Sequence, residues 1–431
     1  MLEGLALQVF GLSAVVAILI LTGTIFLIAW RPRGMREGVA ASIGAALMIG
    51  AGWATPVDVW QTVQSTGRIM VFLVAMMVIA TVADEAGFFD WTATWAVRMS
   101  QGHGRRLYVY LYLLGAVITL FLSLDVTAII FTPIVCASAL RLRLKPGPFV
   151  FASAFVANTA SLALPVSNLT NMLVYDLLGI DFWSFVRYMA LPNLAALAVN
   201  LGVFLVLFRG DIRGRFVQGA PIRAEGSRRF LKVAGTGMGL VVLALLAAGF
   251  LGWPLYAVAL AGALALAAAG LLGRQVSVGT LRRGVAWQLP LFVVGMYVVI
   301  TGANRAALAP LWNGLLRISA EQPDIGVVLL AFGTGIGSNL VNNIPMSMVA
   351  ITALKSAPGP SELLSFATVI GTNLGPNVTV FGSLATMLVL STARKYGIEI
   401  SAGQYLRVGL LTTPLMLVTA STLLLALART C

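Results

Sequence analysis

The sequence predicts an all-α membrane protein built as an inverted-topology repeat, with ten transmembrane spans, two re-entrant hairpins and two broken helices. Three observations carry this. Of 431 residues, 59% are hydrophobic and 10% charged, with mean hydropathy +0.95, where a soluble domain holds roughly a quarter charged residues. Apolar runs of about 20 residues, each long enough to cross a bilayer, recur along the whole chain. Once these runs are threaded as spans, 22 of the 28 Lys and Arg residues fall on one side, as the positive-inside rule requires.

That composition excludes soluble globular and disordered classes. The net charge of +13 and pI of about 10.4 belong to cytoplasmic loops, and nucleic acid is not an expected partner. Cys136 and Cys431 are too few and too far apart for a disulfide scaffold or a Cys-x-x-Cys site. The single His103 excludes a multi-histidine metal centre, and the sequence calls for no cofactor.

The first span is 7–30, too long for a signal-peptide core and lacking a small-residue cleavage site. Further spans are expected at 38–55, 68–84, 148–178, 185–208, 232–251, 254–272, 286–303, 361–396 and 404–428. Of these, 148–178 and 361–396 are too long and too polar in the middle to be simple helices. With the N-terminus outside, the inner loops collect Arg31, Arg33, Arg36, Arg98, Arg105, Arg106, Arg141, Arg143 and Lys145. They also hold seven cations from Arg209 to Lys232, then Arg274, Arg282, Arg283, Arg394, Lys395 and Arg407; Arg68, Arg187, Arg305, Arg317, Lys355 and Arg429 are left over. This split requires 105–143 to enter and leave on the cytoplasmic side and 324–356 on the outer side. Both therefore read as re-entrant hairpins.

The basic stretch 209–231 divides the chain into a first repeat, 1–208, and a second, 232–431. Asn168-Leu-Thr-Asn-Met-Leu-Val aligns with Ser383-Leu-Ala-Thr-Met-Leu-Val at an offset of 215, which also places Asn158 on Asn373. The first half starts outside and the second inside, an architecture typical of secondary transporters.

Four polar clusters interrupt the apolar sequence: Ser123–Thr127, Asn158–Asn171, Ser338–Pro345 and Gly371–Ser383. Each half thus supplies one hairpin tip and one helix break. Irregular backbone at membrane depth survives only when buried in protein or lining a wet cavity. Pro165 and Pro376, with Gly371, Gly375 and Gly382, mark the breaks. Broken helices expose N–H groups at one end and carbonyls at the other, which suits small polar ligands. The expected substrate-binding residues are Thr127, Asn158, Thr159, Ser161, Ser167, Asn168, Asn342, Asn343, Asn373, Asn377, Thr379 and Ser383. The plainer reading of any one of them is interhelical glue.

Asp125 stands apart. The other fourteen acids lie at expected span ends or in loops, and Asp125 alone lies deep. A carboxylate at depth is costly and marks function by default, so Asp125 is the expected proton-coupling residue. Asp84 and Glu85, at the end of a span, read better as a solvated helix end. Gly371-x-x-x-Gly375 reads as part of the break rather than as a packing motif. Asn168-Leu-Thr170 and Asn377-Val-Thr379 fit the glycosylation pattern but lie at membrane depth. Walker, His-Glu-x-x-His and triad patterns are lacking, so an enzyme is not expected.

At these clusters the chain resembles the ArsB arsenite efflux permeases of the ion transporter superfamily. The resemblance runs in order along nearly the whole length, through Asp84–Phe89, Asp125–Val135, Asn158–Leu162, Val166–Asn171, Gly295–Ile300, Asn342–Pro345 and Gly382–Thr386. It implies export of arsenite and antimonite across the bacterial inner membrane by proton antiport, in some systems with the ArsA ATPase. The residues suit that substrate. Arsenous acid is mostly neutral at neutral pH and carries hydroxyls, which amides and hydroxyls both donate to and accept from. No Arg or Lys lies within the four clusters, and two distant cysteines cannot form a three-thiolate arsenic site. A sodium/proton antiporter or a silicic acid exporter on the same scaffold is the alternative.

Overall fold

The computed structural model describes residues 12–30, 32–217, 227–308, 319, 322–356 and 362–430. Residues 7–11 of the first expected span, Arg31, Arg223, Arg317 and Cys431 lie outside them. The described chain is helical, with one isolated bridge between His103 and Arg215 and no strand among the described residues. Nine of its helices are long and apolar enough to cross a membrane.

The first half begins with α1 (Leu12–Trp30), α2 (Glu37–Gly50) and α3 (Pro56–Glu85). Helix α3 starts well ahead of the expected residue 68. Pro56 sits at its first turn, and Thr55 and Asp58 form a reciprocal capping box: Asp58 N–H donates to Thr55 Oγ1, and Thr55 N–H to Asp58 Oδ2. Next comes α4 (Phe88–Met99), which the sequence reading left in a loop. It buries Phe89, Ala93 and Ala96 and exposes Trp91 and Trp95, the pattern of a helix lying along the membrane interface.

Helices α5 (Gly104–Phe121) and α6 (Leu124–Arg141) form the first hairpin, turning at Leu122 and Ser123. Both arms are apolar enough to count among the nine, so length alone does not separate hairpin arms from spans. The first broken helix is α7 (Gly147–Thr159) followed by α8 (Leu169–Leu177), and α9 (Phe182–Leu207) closes this half. The second half runs α10 (Arg228–Leu251), α11 (Leu255–Leu272), α12 (Val278–Gly284) and α13 (Gln288–Ala303). Its hairpin is α14 (Pro323–Val341) and α15 (Asn343–Ser356). Its broken helix is α16 (Glu362–Leu374) and α17 (Leu384–Lys395), followed by α18 (Ala402–Thr430).

Large packing surfaces join the halves: α2 with α13, α3 with α11, and α9 with α18. Small residues permit the closest approaches. A Cβ on Gly295 of α13 would stand 2.7 Å from the Ala41 carbonyl carbon of α2, so these backbones touch, as in membrane helix pairs generally.

Three of the leftover cations have local partners. Arg305 makes a bidentate pair with Asp58 at 2.6 and 2.8 Å, which ties the start of α3 to the end of α13. Arg429 pairs with Asp324, and Arg68 lies 5.9 Å over the Tyr256 ring. At the base of the first hairpin Lys145 pairs with Asp211 at 2.6 Å, and Gly104 N–H donates to the Gly214 carbonyl at 2.9 Å. The start of the basic stretch therefore packs across the mouth of the first hairpin.

Candidate functional site

The two helix breaks meet. In the first, α7 tightens into a 3-10 turn at Ala160–Leu162, passes an extended Leu164 and a second such turn at Pro165–Ser167, and resumes at Leu169. In the second, α16 gives way to 3-10 turns at Gly375–Val378 and Val380–Gly382 before α17 begins. Asn168 and Ser383 cap the resumed helices, accepting from Thr170 N–H at 3.1 Å and Ala385 N–H at 3.2 Å.

Between the breaks lies a buried polar network. Asn373 is its hub. Its Oδ1 accepts from Ser161 Oγ at 2.6 Å and Asn168 Nδ2 at 2.7 Å, while its Nδ2 donates to Asn171 Oδ1 at 2.7 Å and the Val369 carbonyl at 2.9 Å. Asn158 Nδ2 donates to Asn377 Oδ1 at 3.1 Å and Thr386 Oγ1 at 3.0 Å, and Asn377 Nδ2 to Thr159 Oγ1 at 3.3 Å. Asn158, Thr159, Ser161, Asn373 and Asn377 are thus largely spent on one another. Asn158 Oδ1 remains buried without a partner.

The hairpin tips reach the same place. Ser123 caps α6, its Oγ accepting from Val126 N–H at 3.3 Å, and Thr127 meets Thr119 across the first hairpin at 2.7 Å. Ser167 Oγ donates to the Leu120 carbonyl at 2.5 Å, which fixes the first break to that tip. In the second hairpin Asn342 adopts φ +76, a region that side-chain-bearing residues rarely enter. Its Nδ2 donates to the Phe381 carbonyl at 3.1 Å. Asn339 Oδ1 accepts from both Thr379 N–H and Thr379 Oγ1 at 2.8 Å. The α16 glycines pack rather than merely interrupt: a Cβ on Gly375 would lie 2.2 Å from Gly335 Cα of α14.

A small cavity marks the junction. It is lined by Leu124 and Asp125 of the first tip, Asn343 and Ile344 of the second, and Asn168 and Ser383 at the resumed helices. The starts of α6, α8, α15 and α17 therefore line one cavity, and the positive ends of their dipoles favour oxygen ligands. Its volume is about 10 Å³, no more than one water needs. Asn343 makes no side-chain hydrogen bond among the described residues, so its amide is available there.

A wider cavity of about 360 Å³ adjoins it. Its walls are α3 (Met77, Ala80, Thr81, Asp84, Glu85), the first hairpin (Asp125, Val126, Ile129, Ile130) and Thr280, Arg283, Gly284 and Ala286. Asp125 lines both cavities. Its carboxylate has no hydrogen-bond or ion-pair partner among the described residues. The helix end carrying Asp84 and Glu85 is indeed exposed, but it opens onto this cavity.

The structure thus brings Asp125, Asn168, Asn343 and Ser383 to the junction cavity. It places Asn158, Thr159, Ser161, Asn373 and Asn377 in the network behind it, and Thr127, Ser167, Asn342 and Thr379 in contacts that hold tips and breaks. Sequence reasoning left Asn171, Asn339, Thr386 and Arg283 outside the candidate set. The first three belong to the same clusters or motifs, so their residue type was a signal; nothing local distinguishes Arg283 from any loop cation.

Membrane-crossing helices, two hairpin tips and two helix breaks converging on one buried junction define a multi-pass membrane transporter rather than an enzyme. The chain belongs to the ArsB family, the arsenical pump membrane proteins, whose profile matches residues 15–427. It is 35% identical over 429 residues to an arsenical pump membrane protein of Escherichia coli, covering 94% of this chain and 97% of that one. A counterpart from Yersinia enterocolitica is 34% identical over 436 residues, covering 96% and 100%. A putative arsenical pump membrane protein of Bacillus subtilis is 25% identical, covering 91% and 95%. Among solved structures, the Alcanivorax borkumensis YdaH transporter superposes with a TM-score of 0.57 at 17% identity, over 85% of this chain and 86% of that one. MtrF of Neisseria gonorrhoeae, an antimetabolite efflux pump, gives 0.51 at 10% identity, over 85% and 82%. At those identities the likeness speaks for the fold alone.

Proposed function

We propose that the protein exports arsenite and antimonite from the bacterial cytoplasm across the inner membrane, exchanging them for protons, alone or with the ArsA ATPase. Relatives named as arsenical pumps support the substrate. Amides, hydroxyls and helix N-termini at the junction suit a small neutral hydroxyl acid, and the junction cavity presents no thiol and no Lys or Arg. In this reading the wide cavity opens to the cytoplasm and the junction is closed, with too little room for substrate.

One observation carries the coupling role: unpaired Asp125 stands in the wall common to both cavities. Protonation cancels a buried charge, so the two forms of Asp125 favour different arrangements of the tips. The coupling cannot exceed the difference in binding free energy between those arrangements. The test is arsenite-induced proton movement in proteoliposomes. Asp125→Asn, which keeps the size and fixes a neutral group, is expected to abolish gradient-driven efflux and to retain downhill arsenite exchange. Full coupling in that variant sinks the assignment.

A further inference from the structure

The wide cavity is charged, although the proposed cargo is not. It presents three carboxylates, Asp84, Glu85 and Asp125, against one guanidinium, Arg283, a formal excess of two negative charges with Asp125 ionised and of one with it protonated. None of these carboxylates has an ion-pair or hydrogen-bond partner among the described residues. By contrast, Asp58 is paired with Arg305 and Asp324 with Arg429. A metal cage is not the explanation, because no group of three or more His, Cys, Asp or Glu among the described residues is placed to hold an ion.

The setting gives these charges a use. The cytoplasmic face of the proposed topology is strongly basic, and within a Debye length of about 8 Å such a surface concentrates anions. Phosphate and arsenate are small oxygen acids that can hydrogen-bond to the same amides, hydroxyls and helix N-termini as arsenous acid. Hydrogen bonding at the junction therefore discriminates poorly between them, whereas charge discriminates strongly. One carboxylate about 6 Å from an anion, at an effective dielectric of about 20, lowers its occupancy by about 100-fold before salt screening.

We infer that Asp84 and Glu85, with Asp125 behind them, make the wide cavity an anion-excluding vestibule that admits a neutral hydroxyl acid and turns away phosphate-like oxyanions. This rests on the substrate reading above. Arg283 moderates the excess, so the vestibule repels anions without becoming a trap for cations.

The test reads the filter without relying on the substrate. Full-length protein carrying Thr280→Cys and Cys431→Ser in everted vesicles offers one reactive thiol on the vestibule wall, since Cys136 is fully buried. Neutral and anionic methanethiosulfonates of similar size are compared. The anionic reagent is expected to react at least about tenfold more slowly, and Asp84→Asn with Glu85→Gln to bring the two rates together. Ile129→Cys, on the opposite wall and 46% exposed, repeats the measurement should Thr280→Cys insert poorly. A rate ratio that ignores the loss of both acids overturns the inference. A second arm measures phosphate inhibition of arsenite uptake, each variant against its own uptake without phosphate; inhibition is expected in the double variant and not in the parent. If arsenite is not carried yet the labelling ratio responds, the substrate reading falls and the vestibule stands. If arsenite is carried and the ratio does not respond, the vestibule falls alone.

Discussion

Asn373 uses its full side-chain capacity on four partners, three around the first helix break and one carbonyl of its own helix. Removing it orphans buried groups on two elements at once. We expect Asn373→Ala to lose about 1–3 kcal/mol of stability for each partner left unsatisfied, seen as a lower melting temperature in detergent. Asn343→Ala removes an amide that makes no side-chain hydrogen bond among the described residues, so it should weaken arsenite affinity with little change in melting. The reverse pattern would exchange the roles of network and junction. That polar residues cluster at the breaks was legible in the sequence, because Asn, Ser and Thr in apolar runs are unusual enough to be seen. Which of them face a cavity was not legible, since 3-10 turns at Ala160–Leu162 and Gly375–Val378 reset the direction of every side chain after them. Asp84 and Glu85 were correctly placed at a helix end, but whether that end meets bulk water or a cavity depends on the hairpin opposite.

Helix boundaries and packing faces show the same division. The start of α3 was present in the sequence as Thr55-Pro-x-Asp58, a capping pattern that outweighs the polar residues Gln61, Gln64 and Arg68 behind it. The amphipathic α4 was present too, in the spacing of Phe89, Ala93 and Ala96. Gly371-x-x-x-Gly375 was read as a break, yet it is a packing face as well. A Cβ on Gly371 would lie 2.3 Å from the Ala331 carbonyl oxygen, and one on Gly375 2.2 Å from Gly335 Cα. Backbone stands in the way in both cases, so relief requires α14 and α16 to separate. Gly375→Ala is therefore expected to cost about 1–3 kcal/mol through overpacking and to lower the yield of folded protein from the membrane. Gly403→Ala, where nothing lies within 4 Å, is the matched control. Equal behaviour of the two variants would mean that this contact is not tight in the membrane.

At the scale of the molecule, the offset of 215 extends from single residues to elements. Shifted by 215, Gly147–Thr159 falls on Glu362–Leu374, and Leu169–Leu177 on the start of Leu384–Lys395. Contacts follow the same rule: exchanging halves turns the α2–α13 pair into the α11–α3 pair. This is the pattern that the proposed inverted repeats require, and it bears on how far the hairpins reach. Each arm of the first hairpin has 18 residues, about 27 Å of helix, nearly enough to cross a hydrocarbon core of about 30 Å. Length therefore permits either a full crossing or a re-entrant loop. The junction bears on the choice. Leu124 and Asp125 of one tip share a cavity with Asn343 and Ile344 of the other. If the basic flank of the first hairpin holds it on the cytoplasmic side and the second enters from outside, both tips must stop at mid-depth to touch. Single cysteines should then report three accessibilities to a bulky impermeant reagent. His103→Cys and Lys145→Cys should react from the cytoplasm alone, and Asp324→Cys from outside alone. Val126→Cys, on the wall of the wide cavity, should be closed from outside and reachable, slowly, from the cytoplasm. Labelling of Val126→Cys from outside would place the first tip at the outer surface, which the second tip could then reach only by not crossing the membrane at all.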